Sequence, residues 1–416
     1  MTAPPRVGSV LATAAAGAVR SAQSRKSTPA SVRRLRRLQV TAVAVLLVFG
    51  ALVVTALAVS FNSARSARDT LAQYNRLADA QVQALAVQQS ANTWPLSPSS
   101  AVRTSVGDQL GELATTLADA AAVAADRGRI VPLTGALVSY GMTLQDALNV
   151  DGTASAVLLA KSDAQLRSTI LAPLQQGEQA IGDRVVTDLN TSWVLWVYLG
   201  AVVVAGGLVA VLVLLARSSH RYVNLGVAAG LVCAMVSVVI ATAALGSAAS
   251  TAAGFDSSTR ASLDGLATTR TQLNQARADE LLAIGLRGAG TTYQTRWTTQ
   301  YDAAKKALAD VPGSTSAQAA LAAYNTAHGQ VSAKLASSDW NGAAALAVGN
   351  GAAGKAFGTA DTAVSNLATT VRAPLTAGVA SAADTIATAI AAVIVLTLAG
   401  AALATWGVAR RIEEYR

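Results

Sequence analysis

The chain has 416 residues, 52% of them hydrophobic but only 4% aromatic, with one Cys and two His. An Ala-dominated apolar share with few aromatics favours helix over sheet, because Ala loses no side-chain entropy in a helix. The formal charge of +9 would suit nucleic acid if it were spread evenly, but the positive excess is gathered beside long apolar stretches, which argues against that class.

In chain order, residues 1–38 are rich in Ala, Ser, Arg and Pro without periodicity and read as a disordered arm. The patch Arg25-Lys26-Ser27-Thr28-Pro29 is expected to anchor the arm on anionic lipid, and phosphorylation of Thr28 stays open. Four stretches then lack any charged side chain: 39–61, 193–216, 222–245 and 385–409. A bilayer needs about 20 apolar residues to cross, and backbone in hydrocarbon must satisfy itself, so each is predicted to be a transmembrane helix.

Between the first two spans, 62–192 carries apolar stripes at helical spacing. Leu71, Tyr74, Leu77, Val82 and Leu85 continue from the first span and stop at Trp94-Pro95. Val106, Leu110, Leu113 and Leu117 mark a second helix, with Asp126-Arg127-Gly128 expected as its C-terminal cap. Leu133, Leu137, Tyr140, Leu144 and Leu148 follow the early helical Pro132, and Asn149-Val150-Asp151-Gly152 breaks that helix. A fourth helix is predicted to bend at Pro173 before the second span.

The segment 246–384 repeats the plan. Leu263, Leu266, Leu273, Leu281 and Ile284 line a helix ended by Gly288-Ala-Gly290. Further helices are predicted over 291–310 and 315–337, with breaks at Val311-Pro312-Gly313 and Asp339-Trp340-Asn341-Gly342. Phe357, Val364, Leu367 and Val371 then lead through Pro374 into the last span. Ala172-Pro173-Leu174 and Ala373-Pro374-Leu375 occupy matching places, which with equal span order supports an internal duplication. The expected fold is all-α: an integral membrane protein of four transmembrane helices with two extracytoplasmic helical bundles, 62–192 and 246–384.

Orientation follows from Lys and Arg. The arm 1–38, the turn 217–221 and the tail 410–416 hold 13 of the 32 basic residues and 2 of the 23 acidic ones. Arg33, Arg34, Arg36 and Arg37 precede the first span, Arg217 and Arg221 flank the turn, and Arg410 and Arg411 follow the last span. The positive-inside rule puts these segments, and so both termini, in the cytoplasm of a multi-pass cell-membrane protein. Cys233 lies in the third span, so no disulfide joins the large segments.

No His, Cys or Gly-rich pattern points to a metal, a phosphate or a cofactor, and no catalytic residue is assigned. His220 sits in the short turn, and His328 reads as structural or exposed. Asp279 and Glu280 adjoin on a helix and face different ways, so they do not form an acid–base pair. With Arg277 and Arg287 they are expected to form a solvated or inter-helix charged strip.

The plan resembles four-helix-bundle ectodomains of bacterial chemoreceptors and sensor kinases, doubled. A closer likeness rests on Gln275-Ala-Arg277-Ala-Asp279-Glu280-Leu281-Leu282 through Arg287-Gly288, on Tyr324-Asn-Thr-Ala-His328, on Asp339-Trp340-Asn-Gly, and on Ser168-Thr169-Ile170-Leu171-Ala172-Pro173. These are similar to stretches of the actinobacterial GlnX-type membrane proteins. That resemblance implies a non-enzymatic signal relay between an extracytoplasmic amino-acid-binding lipoprotein and a cytoplasmic Ser/Thr kinase of the PknG type, with homo-oligomers an open question. The alternative is a structural or accessory subunit of a transporter or cell-envelope complex.

The topology is testable with single thiols. In a Cys233→Ser background, an impermeant thiol reagent on intact cells should label Ser100→Cys and Ser338→Cys but not Ser219→Cys. Labelling at position 219 alone would overturn the orientation.

Overall fold

A computed structural model describes residues 30–189, 206–207, 209–210, 213, 225–254 and 257–414. Every described element is helical. They are α1 (Ala30–Asn92), α2 (Ser100–Ala121), α3 (Arg127–Leu148), α4 (Gly152–Leu166), a π turn (Arg167–Leu171) and α5 (Ala172–Leu189). After these come α6 (Leu225–Gly254), α7 (Ser257–Gly285), a 3-10 turn (Arg287–Ala289), α8 (Thr291–Ala309), α9 (Thr315–Ala336), α10 (Trp340–Ala347) and α11 (Ala352–Glu414). The arm 1–29, most of the stretch 193–216 and the turn 217–221 with His220 lie outside the described residues.

Three helices, α1, α6 and α11, are long and apolar enough to cross a membrane. α1 and α11 have 63 residues each. Both therefore continue far beyond the roughly 30 Å of a hydrocarbon core, since a helix rises 1.5 Å per residue. Pro374 does not interrupt α11. The neighbouring Leu375 is locked against Leu71 and Leu263, and this packing holds the helix together where the proline removes a donor.

The chain divides into two compact units. The first comprises Met1–Leu57, Trp193–Ala243 and Thr388–Arg416. Within it small residues set the helix contacts. A Cβ on Gly226 would run into the Leu403 carbonyl and the Gly407 backbone, and one on Gly400 would lie 3.1 Å from the Cys233 Cβ. Such close backbone approach is how helices associate where lipid removes the hydrophobic drive. Val40, Val48, Leu52, Val232, Val239 and Val395 face outward here, an apolar exterior that suits hydrocarbon.

The second unit comprises Ala58–Ser192 and Ala244–Ala387. Its stripes pack as the helical spacing predicts. Leu113, Leu117, Tyr140, Leu144 and Leu159 are fully buried around Leu77 and Leu85 of α1. A second cluster joins Leu273, Trp297, Tyr301, Leu321, Tyr324 and Val364. A third gathers Leu281, Ile284, Val331, Leu335 and Ala343.

Two boundaries differ from expectation. Asp126-Arg127-Gly128 does not cap α2, which ends at Ala121; Arg127 opens α3. The Asp126 carboxylate is taken by Arg184 of α5 instead of by a helix end. The bend expected at Pro173 takes the form of a π turn. Pro173 has no N–H to give, and the Ala172 N–H reaches back five residues to the Arg167 carbonyl. At Gly288-Ala-Gly290 the expected stop holds: a Cβ on Gly290 would sit 2.8 Å from the Ala283 Cα.

Removing Leu113, which is fully buried, should cost about 2–5 kcal/mol as Leu113→Ala in denaturant unfolding of the purified chain. Met142→Ala, at a side chain 58% exposed, should change stability by less than about 0.5 kcal/mol. Equal effects from the two would remove the packing assignment.

Candidate functional site

α7 is the element on which the larger unit is organised. From Leu273 to Leu286 every residue but Gln275 is buried, although this stretch carries Arg277, Asp279 and Glu280. Successive residues of a helix are about 100° apart, so the charges leave on different faces. A buried charge without a partner is expensive, and each face finds its own.

On one face Asp279, 0% exposed, accepts from Arg167 Nη2 at 3.0 Å and pairs with Arg296 Nη2 at 3.0 Å. The same two guanidiniums hold Asp163, also fully buried: Arg167 Nε donates to its Oδ2 at 2.8 Å and Arg296 Nη2 at 2.9 Å. Arg167 Nη1 also donates to Gln275 Oε1 at 2.9 Å. Two carboxylates and two guanidiniums thus form a closed set, contributed by α4 and the π turn on one side and by α7 and α8 on the other. Burial pushes the Asp279 carboxyl up to about 7; Arg167 pulls it back, Asp163 adds to the rise, and Arg296 opposes it. Its Oδ2 has no hydrogen-bond partner, which suits a carboxyl that readily holds a proton.

On another face Glu280 is bonded to Arg277. It accepts from the Tyr324 hydroxyl at 3.2 Å, and its Oε1 lies 2.7 Å from His328 Nδ1. Burial opposes its charge, yet Arg277 with His328 holds its carboxyl below the usual range. A carboxylate only accepts, so Nδ1 of His328 carries the hydrogen. The imidazole stacks on Trp297 at 3.5 Å, and Trp297 Nε1 donates to the Tyr324 hydroxyl at 3.2 Å. Arg277 also donates to the Ala347 carbonyl and lies over the Phe357 ring. Glu280 thereby ties α7 to α9 directly, Trp297 brings in α8, and Arg277 reaches α10 and α11.

A third set reaches α1. Gln89 Nε2 donates to Asn274 Oδ1 at 2.6 Å, and Asn274 Nδ2 donates to Asp361 Oδ1 of α11 at 3.1 Å. Asn92 Nδ2 donates to the Ala278 carbonyl at 3.1 Å. Fully buried Gln88 accepts from the Tyr140 hydroxyl at 2.8 Å and Ser162 Oγ at 3.1 Å. The two 63-residue helices are therefore joined through α7 by a hydrogen-bonded relay.

Asp279 and Glu280 do face different ways, as their adjacency requires. The strip they form with Arg277 is inter-helix but buried rather than solvated, and Arg287 stands outside it, exposed in the 3-10 turn with φ +51°. His328 is buried, not exposed. Of the basic residues flanking the spans, Arg36 and Arg37 are exposed on α1, and Arg410 lies 5.3 Å over the Trp406 ring of α11. Arg33, Arg34 and Arg411 are in helix, whereas Arg217 and Arg221 lie outside the described residues. Asp163, Arg167, Arg296, Gln88, Gln89, Asn274 and Asp361 were missed. The one local signal was Gln81, Gln88 and Asn92 recurring along the buried stripe of α1, where apolar residues belong.

The carboxyls of Asp163, Asp279 and Glu280 hold neighbouring helices in place. Among the described residues no group of three or more His, Cys, Asp or Glu is placed to hold a metal ion. No family profile, curated protein or solved structure matches the chain.

Asp279 gives a pH signature. Its folded-state pKa is raised from 3.8 to about 7, so its contribution is full below 3.8 and is lost as pH rises through about 7. Between those limits the wild type should lose up to about 1.4 kcal/mol per pH unit relative to Asp279→Asn. Unfolding midpoints of both across that range check this; parallel curves would refute it.

Proposed function

We propose that the chain is a non-enzymatic transmembrane signal relay. In this reading four spans carry the chain through the cell membrane, with both termini inside and 62–192 and 246–384 outside. The outside residues dock an amino-acid-loaded binding lipoprotein, and the basic cytoplasmic segments engage a Ser/Thr kinase of the PknG type. The observation that carries the reading is mechanical. α1 and α11 each run 63 residues without a break, from an apolar stretch into a unit where Gln89, Asn274 and Asp361 tie them together.

A shift imposed on such helices travels along them, because hydrogen-bonded helix is stiff and interfaces switch by slides of about 1–2 Å. The polar relay gives both helices a common reference at α7, so displacement of one is felt by the other. A ligand acts only through its differential affinity for two states. The reading therefore requires that loaded and empty lipoprotein bind this chain with different affinities.

The test separates docking from transmission. Asn62→Pro breaks α1 at an exposed position beyond its apolar stretch. It should leave insertion and lipoprotein binding intact while abolishing the amino-acid-dependent change in kinase-substrate phosphorylation. Removing residues 1–32, with Arg33–Arg37 kept, should weaken the same response. A response that survives deletion of the whole gene would sink the relay and leave an accessory subunit of a membrane complex.

A further inference from the structure

Helices α1, α5 and α7 of the larger unit border a cavity of about 190 Å³. Tyr74, Gln81, Glu178, Arg260, Asp264 and Thr271 line it. Its polar atoms are unevenly served. Glu178 is 7% exposed, and its Oε2 accepts from Gln81 Nε2 at 2.6 Å, but its Oε1 has no hydrogen-bond partner. The Tyr74 hydroxyl lies between two carboxylates and has one proton, which it donates to Asp264 Oδ1 at 3.3 Å. The Arg260 guanidinium is held by Asp183 at 2.5 Å and Asp264 at 3.8 Å.

The surrounding charge does not balance. Arg270 and Arg372 both approach Asp79, at 3.9 Å. Those three lie outside the lining, where Glu178 and Asp264 present two carboxyls against the single guanidinium of Arg260. The lining is therefore richer in acidic than in basic groups and holds a buried carboxyl oxygen without a donor, a combination that a cation with N–H groups satisfies.

We propose that this cavity binds a small primary-amine cation, with its ammonium donating to Glu178 Oε1. An ammonium has three donors and no acceptor, which matches a lining where Glu178, Asp264 and the Tyr74 oxygen present acceptors. A small anion meets the wrong sign, and a neutral alcohol leaves the charge uncompensated. The site stands independently of the relay reading: a bound amine and a transmitted signal can each be present without the other.

The test uses the full chain in nanodiscs of phosphatidylglycerol, a lipid without an amine, titrated calorimetrically with n-propylammonium chloride. Sodium propionate and n-propanol at matched ionic strength are the comparisons. Saturable binding of the amine alone is expected. Glu178→Gln keeps an oxygen for Gln81 and should weaken binding by about tenfold or more, the loss expected for a charge-assisted contact. Gly182 also borders the cavity, and a Cβ there would meet Tyr74 only at 3.7 Å, so Gly182→Leu should fill the space and abolish binding while the fold persists. If Glu178→Gln fails to fold, Gly182→Leu alone decides. Absence of saturable binding, equal binding of propanol, or unchanged affinity in the folded variants would overturn the proposal and leave a water-filled cavity.

Discussion

A stretch of helix buried on nearly all sides that carries an arginine and two adjacent carboxyls dictates what surrounds it. α7 places Arg277, Asp279 and Glu280 where water does not reach, so charged or hydrogen-bonding partners must arrive from neighbouring elements. Arg167 comes from the π turn, Arg296 from α8 and His328 from α9, each on the face its partner leaves by. Ion pairs of this kind add little net stability, because desolvation offsets much of the attraction, but removing one partner leaves an uncompensated charge. Their effect is on register. A slide of α7 by a single residue would turn Asp279 away from both guanidiniums at once, whereas an apolar interface would tolerate it.

What the sequence conveyed and what it withheld divide along the same line. The helices of the larger unit follow from spacing: Leu133, Leu137, Tyr140, Leu144 and Leu148 are all buried on α3, as one face of a 3.6-residue period demands. The stops at Pro95, Val311-Pro312 and Gly290 follow from backbone chemistry. The ionic pairings do not follow, because nothing local connects Asp163 to Arg296, which is 133 positions away. The charges of α7 look like a solvent strip to any rule that reads one helix at a time. Only packing of other helices over every face makes them interior. Asp126 shows the same limit at short range: a tripeptide with the composition of a cap was claimed by Arg184, 58 residues on.

The π turn links backbone and charge. Pro173 removes a donor, the chain admits a wider turn over Arg167–Leu171, and that turn carries the guanidinium bridging Asp163 and Asp279. In the second half Ala373-Pro374-Leu375 stands in a helix that continues without interruption. The same tripeptide is thus absorbed in two ways, one by changing the turn and one by packing Leu375 against Leu71 and Leu263.

The relay through Gln89 and Asn274 spans 185 positions of sequence, and this sets a schedule for assembly. At synthesis rates of about 5–20 residues per second, Gln89 precedes Asn274 by roughly 10–40 seconds. During that interval the first half exists without α7, so Asp163 and Arg167 have only each other, and the polar side chains of α1 have no partner across the interface. The larger unit is therefore a late product of translation, closed only when its second half arrives.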